Sequence, residues 1–161
     1  VGMRTMKSKR GDDIAFVQLD DRTARVEVTL FSDVYRSCRE HVVKDSFLVV
    51  ECVVSLDDFS GALRMRANEA YTLGEARRRF ARELVLQLGA EDFGPDFPEA
   101  LGRLLGGGRA RESCAVRVVY SAPEARAEIS LGAEWRLSPS DEALARLRER
   151  FGPERVRLRY A

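Results

Sequence analysis

Lysine is almost missing from this 161-residue chain: Lys7, Lys9 and Lys44 stand alone among 27 basic residues, against 26 acidic ones, for a net charge of +1. Codon bias in a GC-rich genome accounts for the preference for arginine. Divided at residue 74, the chain gives two nearly neutral halves, so bulk charge argues for no particular partner. Any electrostatic case must rest on local clustering. Histidine is reduced to His41. No matched nucleophile and carboxylate pattern surrounds it, which points to a helix surface or helix end rather than catalysis. The three cysteines, Cys38, Cys52 and Cys114, are odd in number and widely spaced. They lack a CxxC or paired-histidine context, which excludes a zinc site or disulfide framework and fits buried or incidental thiols in a reducing cytoplasm. No apolar run approaches the roughly 20 residues needed to cross a bilayer, and no signal peptide is visible. What remains, 45% apolar and 33% charged, is the composition of a soluble globular protein of one ordinary domain or two small ones. The chain opens on Val1 inside a strand pattern, from which we expect a piece of a longer polypeptide.

The first 31 residues organise the rest. Arg4, Lys7, Lys9 and Arg10 place four cations within seven residues, and Gly11 then permits a sharp loop. Ile14–Leu19 suits a strand, with Ile14 and Phe16 on one face and Val17 and Leu19 on the other. Asp20-Asp21-Arg22-Thr23 supplies turn chemistry. Arg25–Leu30 alternates cleanly, Val26, Val28 and Leu30 against Arg25, Glu27 and Thr29. A helix is expected over about 33–43, with Val34, Tyr35, Cys38 and Val42 at helical spacing. Phe47–Val54 is a β-branched run expected to be buried on both faces at its start. Asp57–Gly61 reads as a turn and Leu63–Ala67 as another alternating strand. Three strands, a helix and two strands in about 70 residues is the order of an OB-type barrel, a fold that meets nucleic-acid strands with its sheet and loops.

From Thr72 the texture changes. Glu75–Leu84 reads as a helix rich in Arg77, Arg78, Arg79 and Arg82, and Leu84–Leu88 as a strand. A helix over 97–105 has Asp96 and Glu99 in capping-box register. Gly106-Gly107-Gly108-Arg109 follows a helix and lacks the GK[ST] signature, so it is a helix stop rather than a phosphate loop. Cys114–Tyr120, Ala127–Leu131 and Trp135–Leu137 form an antiparallel set. Ser138, Pro139 and Asp141 read as a cap, first helical position and acidic partner of a helix with Leu144, Leu147 and Phe151 inward. Gly152-Pro153 ends that helix, and Val156, Leu158 and Tyr160 alternate with arginines in a last strand. The expected fold is therefore mainly β to α+β: a five-stranded OB-type barrel over 1–74 and a small α+β domain over 75–161.

The run TMKSKRGDDIAFVQLDDRTARVEVTLF, followed by KDSFLVVECVVSLDDFSGALRMRANEAYTLGEAR, resembles the C-terminal region of the bacterial DNA polymerase III alpha subunit family. The motifs cover about residues 1–79; the remainder resembles, more loosely, that family's C-terminal domain. The resemblance implies an OB domain binding single-stranded DNA and a C-terminal domain contacting the clamp-loader tau subunit and other replisome subunits, in the cytoplasm and away from membranes. It also has departures: Cys52 where the family usually has glycine, Ala62 at the second glycine of the DDFSGG turn, and Asn68 where arginine is common.

The implied contacts are Lys7, Lys9 and Arg10 on backbone phosphates and Arg4, Arg25 and Thr29 along the sheet, with Arg64 and Arg66 as secondary candidates. Phe16 and Phe31 are the candidate stacking rings, although burial in the barrel core is the expectation for rings in an alternating strand. Asp12-Asp13, Asp20-Asp21 and Asp57-Asp58 read as turns, not as a two-metal carboxylate site. No cofactor and no polymerase chemistry are expected of this stretch; the parent would be the nucleotidyltransferase. Two other classes stay open: an RNA-directed OB module of the tRNA anticodon-binding type, and a pure protein-interaction scaffold.

Overall fold

The computed structural model describes residues 2–8, 11–58, 61–106 and 113–160. The chain divides into two compact units, Val1–Leu73 and Gly74–Ala161.

In the first unit, β1 (Gly2–Lys7), β2 (Asp13–Asp20) and β3 (Arg25–Leu30) precede α1 (Ser32–Cys38), and β4 (Val49–Leu56) and β5 (Leu63–Tyr71) follow it. The strand order is β1-β2-β3-β5-β4, antiparallel throughout except for the parallel β3–β5 pair. This is the OB order, with the helix between the third and fourth strands. Among the described residues, the pairings leave β1 and β4 as the two ends of the sheet. The β2–β3 turn is built by its aspartates. Asp20 Oδ1 accepts the Arg22 N–H at 2.8 Å, while Asp21 Oδ1 accepts from the Thr23 N–H, the Thr23 hydroxyl and the Ala24 N–H. These bonds allow Arg22 its left-handed φ of 71°. The core gathers Ala15, Val17, Val28 and Leu30 from the strands with Tyr35, Cys38 and Val42 from α1 and the turn after it.

Three expectations change here. Helix α1 stops at Cys38, yet Val42 still reaches the core because its N–H returns to the Cys38 carbonyl at 3.1 Å. His41 lies half-buried in that turn. Strand β4 starts at Val49, leaving Phe47 83% exposed instead of buried. The turn before β5 takes its left-handed residue from Gly61 (φ 66°), so alanine at 62 is accommodated where a second glycine was expected.

The second unit contains α2 (Leu73–Phe80), which begins at the boundary, then β6 (Ala81–Leu88), α3 (Phe97–Leu105), β7 (Cys114–Ser121), β8 (Arg126–Ser130), β9 (Arg136–Leu137), α4 (Asp141–Phe151) and β10 (Val156–Tyr160). The sheet order is β10-β6-β7-β8, with β9 also on β7; β6 and β7 run parallel. Its core joins Leu84, Leu86, Val116, Val118 and Val156 of the sheet to Leu101, Leu105, Leu144, Leu147 and Phe151 of the helices. Each fully buried leucine contributes about 1.5–3 kcal/mol through apolar area removed from water.

Helix α2 ends at Phe80, not at Leu84, because β6 is claimed by ladders on both sides, to β7 and β10. Helix α4 is capped by Ser140, whose Oγ accepts the Ala143 N–H at 3.1 Å; Pro139 precedes the cap and is buried. Asp96 sits at the N-cap of α3 without a side-chain capping bond, and Gly106 closes that helix at φ 70°. Residues 107–112, which include the rest of the glycine run and Arg109, lie outside the described residues.

Candidate nucleic-acid interface

Strand alternation sorts the first unit's side chains into two faces. Ala15, Val17, Val28 and Leu30 point into the core, which sends Ile14, Phe16, Glu27, Thr29 and Phe31 to the other side. Cross-strand register then assembles a row over four strands: Arg4 opposite Phe16, Phe16 opposite Thr29, and Thr29 opposite Arg66. A groove of about 660 Å³ lies on this outer surface, with Met6, Ile14, Phe16, Thr29, Phe31 and Arg66 among its lining residues. Arg64 and Glu27 also line it.

Both phenylalanines depart from the expectation of burial in the core. Phe16 is half-buried on the outer face, where the Arg4 guanidinium lies 4.5 Å from the ring centroid. Phe31 is 46% exposed, at the position just before α1. The core face of β2 belongs to the small residues Ala15 and Val17, which pack with Tyr35 and Cys38 of α1. An apolar floor with open rings and nearby cations is suited to stacking unpaired bases while holding their phosphates.

The cations are not equally available. Arg4 makes a two-pronged ion pair with Glu27, at 3.0 and 3.1 Å. Arg25 is bound by Asp20 at 2.7 Å, in the hairpin turn and away from the groove lining. Arg64 is paired with the buried carboxylate of Asp57. Lys7, at the end of β1, and Arg66, in the centre of β5, are exposed and have no carboxylate partner among the described residues. Lys9 and Arg10 lie outside the described residues; flanking them, the Gly11 N–H donates to the Ser8 carbonyl at 2.9 Å with Gly11 at φ 84°. Sequence reading found the rings and cations but missed two things. One is the apolar lining from Met6 and Ile14, which the period-2 pattern carried, and from Leu63, which it did not. The other is the carboxylates that hold three arginines, which depend on register across strands.

The turn aspartates are strongly acidic. The Thr23 hydroxyl and the Ala24 and Thr23 amides hold Asp21 at about 2, and the Arg22 amide followed by the Arg25 guanidinium lowers Asp20. Among the described residues no three histidine, cysteine or acidic side chains converge as a metal site. The cysteines are free; burial pushes the Cys38 and Cys114 thiols up. Among the described residues, no helix is long and apolar enough to cross a membrane.

Comparison with known proteins bears on both units. Residues 1–73 match the family described as OB-fold nucleic acid binding domain. Residues 109–152 match the family described as DNA polymerase III subunit alpha, C-terminal domain. Over 160 residues, 99% of this chain, it is 38% identical to the DNA polymerase III subunit alpha of Pseudomonas fluorescens, 40% to that of Pseudomonas aeruginosa and 39% to that of Escherichia coli. The chain spans 14% of the length of each of these relatives.

Proposed function

From the premise that this chain matches the C-terminal region of DNA polymerase III subunit alpha, we propose that its first unit holds single-stranded DNA in the outer groove of the OB sheet. We propose further that residues 75–161 dock the clamp-loader tau subunit, in a cytoplasmic replisome whose nucleotidyl transfer is carried out elsewhere in the parent protein. The observation that supports the DNA reading best is the row Arg4, Phe16, Thr29 and Arg66 beside an apolar groove. Lys7 and Arg66 act on phosphates, joined by Lys9 and Arg10, which follow Lys7 in the sequence. Phe16 and Phe31 act on bases, with Thr29 between them. Arg4, Arg25 and Arg64 are each engaged by a carboxylate and contribute less in the free protein.

Binding of fluorescent oligo-dT at several salt concentrations tests this. Each phosphate that the protein neutralises adds about 0.7 to the steepness of log affinity against log salt for a single strand. Lys7→Ala combined with Arg66→Ala is expected to weaken binding and flatten that slope by about 1.4. An unchanged slope and affinity would remove the groove from the reading. Preference for a tRNA stem-loop would move the unit to RNA, and absence of binding to either would make it a scaffold. For tau, co-purification with this chain and its loss when residues 75–161 are replaced is the expected result.

A further inference from the structure

The ion pair over Phe16 crosses the groove at the place where a base would stack. Arg4 comes from β1 and Glu27 from β3, so their contact spans β2, and Phe16 of β2 lies beneath the guanidinium. Glu27 offers both its oxygens to one Arg4 nitrogen, an arrangement that a phosphodiester's two free oxygens can reproduce. Both side chains are about half exposed or more, at 68% and 49%. Exposed pairs of this kind contribute little to stability, so an incoming anion can break one at small cost. Arg66, at the other end of the same row, carries no such carboxylate among the described residues.

We propose that Glu27 is an internal competitor of the DNA phosphate: it holds Arg4 across Phe16 in the free protein and is exchanged for a backbone phosphate when a strand enters. This rests on the reading of the groove as a single-strand site and adds a restraint on it. Exchange releases a cation to the DNA and uncovers one face of the ring in the same movement. The carboxylate therefore lowers the resting affinity, which keeps the strand exchangeable as it passes through the groove.

The test is Glu27→Gln, measured with oligo-dT on the full chain over a salt series. Tightening of about two- to fivefold is expected, the worth of one exposed ion pair, with the salt slope little changed, because Arg4 reaches a phosphate in both proteins. In the Arg4→Ala background the same substitution is expected to have no such effect. The Arg4 Nε–Hε resonance should shift on Glu27→Gln in the free protein, and shift again when dT is added to the unsubstituted chain. Equal tightening with and without Arg4 would mean plain repulsion by Glu27 and would overturn the exchange. Weaker binding by Glu27→Gln, or none of these changes while Lys7→Ala with Arg66→Ala still weakens binding, overturns the exchange alone. If the unsubstituted chain ignores oligo-dT, the groove reading fails and takes this one with it.

Discussion

Both sheets pair arginines with carboxylates, but they differ in what lies beside them. On the second unit's sheet, Arg117 lies between Glu83 (2.8 Å) and Glu128 (2.9 Å), and Arg159 reaches the same Glu83 at 3.3 Å. Glu83, then Glu128, raises the Arg117 pKa further, so this network stays charged and internally neutralised. Val85 and Val119 on the same sheet are buried although they lie outside the helix-packed core. The first unit instead leaves Met6 and Phe31 open in the groove that Arg66 also lines. A count of arginines would rank the second unit as the better nucleic-acid binder. The count overstates Arg117 and Arg159, because a cation already matched to carboxylates has little attraction left for a phosphate.

The comparison can be broken most forcefully in the second unit's core. Leu147 is wholly buried in the middle of α4. Leu147→Ala should cost about 2–5 kcal/mol in chemical denaturation, transfer and cavity terms together. If the first unit carries the DNA site, oligo-dT affinity under native conditions should survive that loss.

Next in size is Phe31→Ala, expected to weaken oligo-dT binding by about 1–3 kcal/mol if a base stacks on the ring. Arg159→Ala on the other sheet should leave that affinity unchanged. Equal losses from both would erase the contrast between paired and open surfaces.

The smallest effect sharpens it through pH. Asp20 and Asp21 have pKa values below the ordinary carboxylate range in the folded turn, Asp21 at about 2. Their contribution to the β2–β3 hairpin is therefore complete above the unfolded value near 4 and disappears as pH falls towards 2. Asp21→Asn should lower the melting temperature slightly at neutral pH and remove part of the acid dependence between those limits. A melting curve with the same pH profile in both proteins would show that the turn is held by other contacts.

Much of this was legible from residue order. The alternation in Arg25–Leu30, the aspartates of the hairpin turn and the leucine spacing of α4 are local patterns, and local hydrogen bonding and amphipathic burial act on them directly. The boundary at Phe80 was not legible. Arg77–Leu84 satisfies a helix period, and the strand beginning at Ala81 wins through ladders to β7 and β10, far away in sequence. The side chosen by Phe16 was equally hidden. Alternation says that Phe16 and Val17 oppose each other, but only the packing of α1 on Ala15 and Val17 says which of them faces the core.

What the sequence settled alone was the inventory: an OB order of strands, a basic first loop, two aromatic rings and a second α+β unit, all carried by short-range periodicity and turn chemistry. The tertiary structure decided which of those groups are at liberty. Arg4 meets Glu27 across β2, and Arg64 meets Asp57 across a turn, because register between strands sets those distances. Attraction between charges falls with separation and with screening by water. A group's availability is therefore a property of its neighbours in space, which composition does not contain.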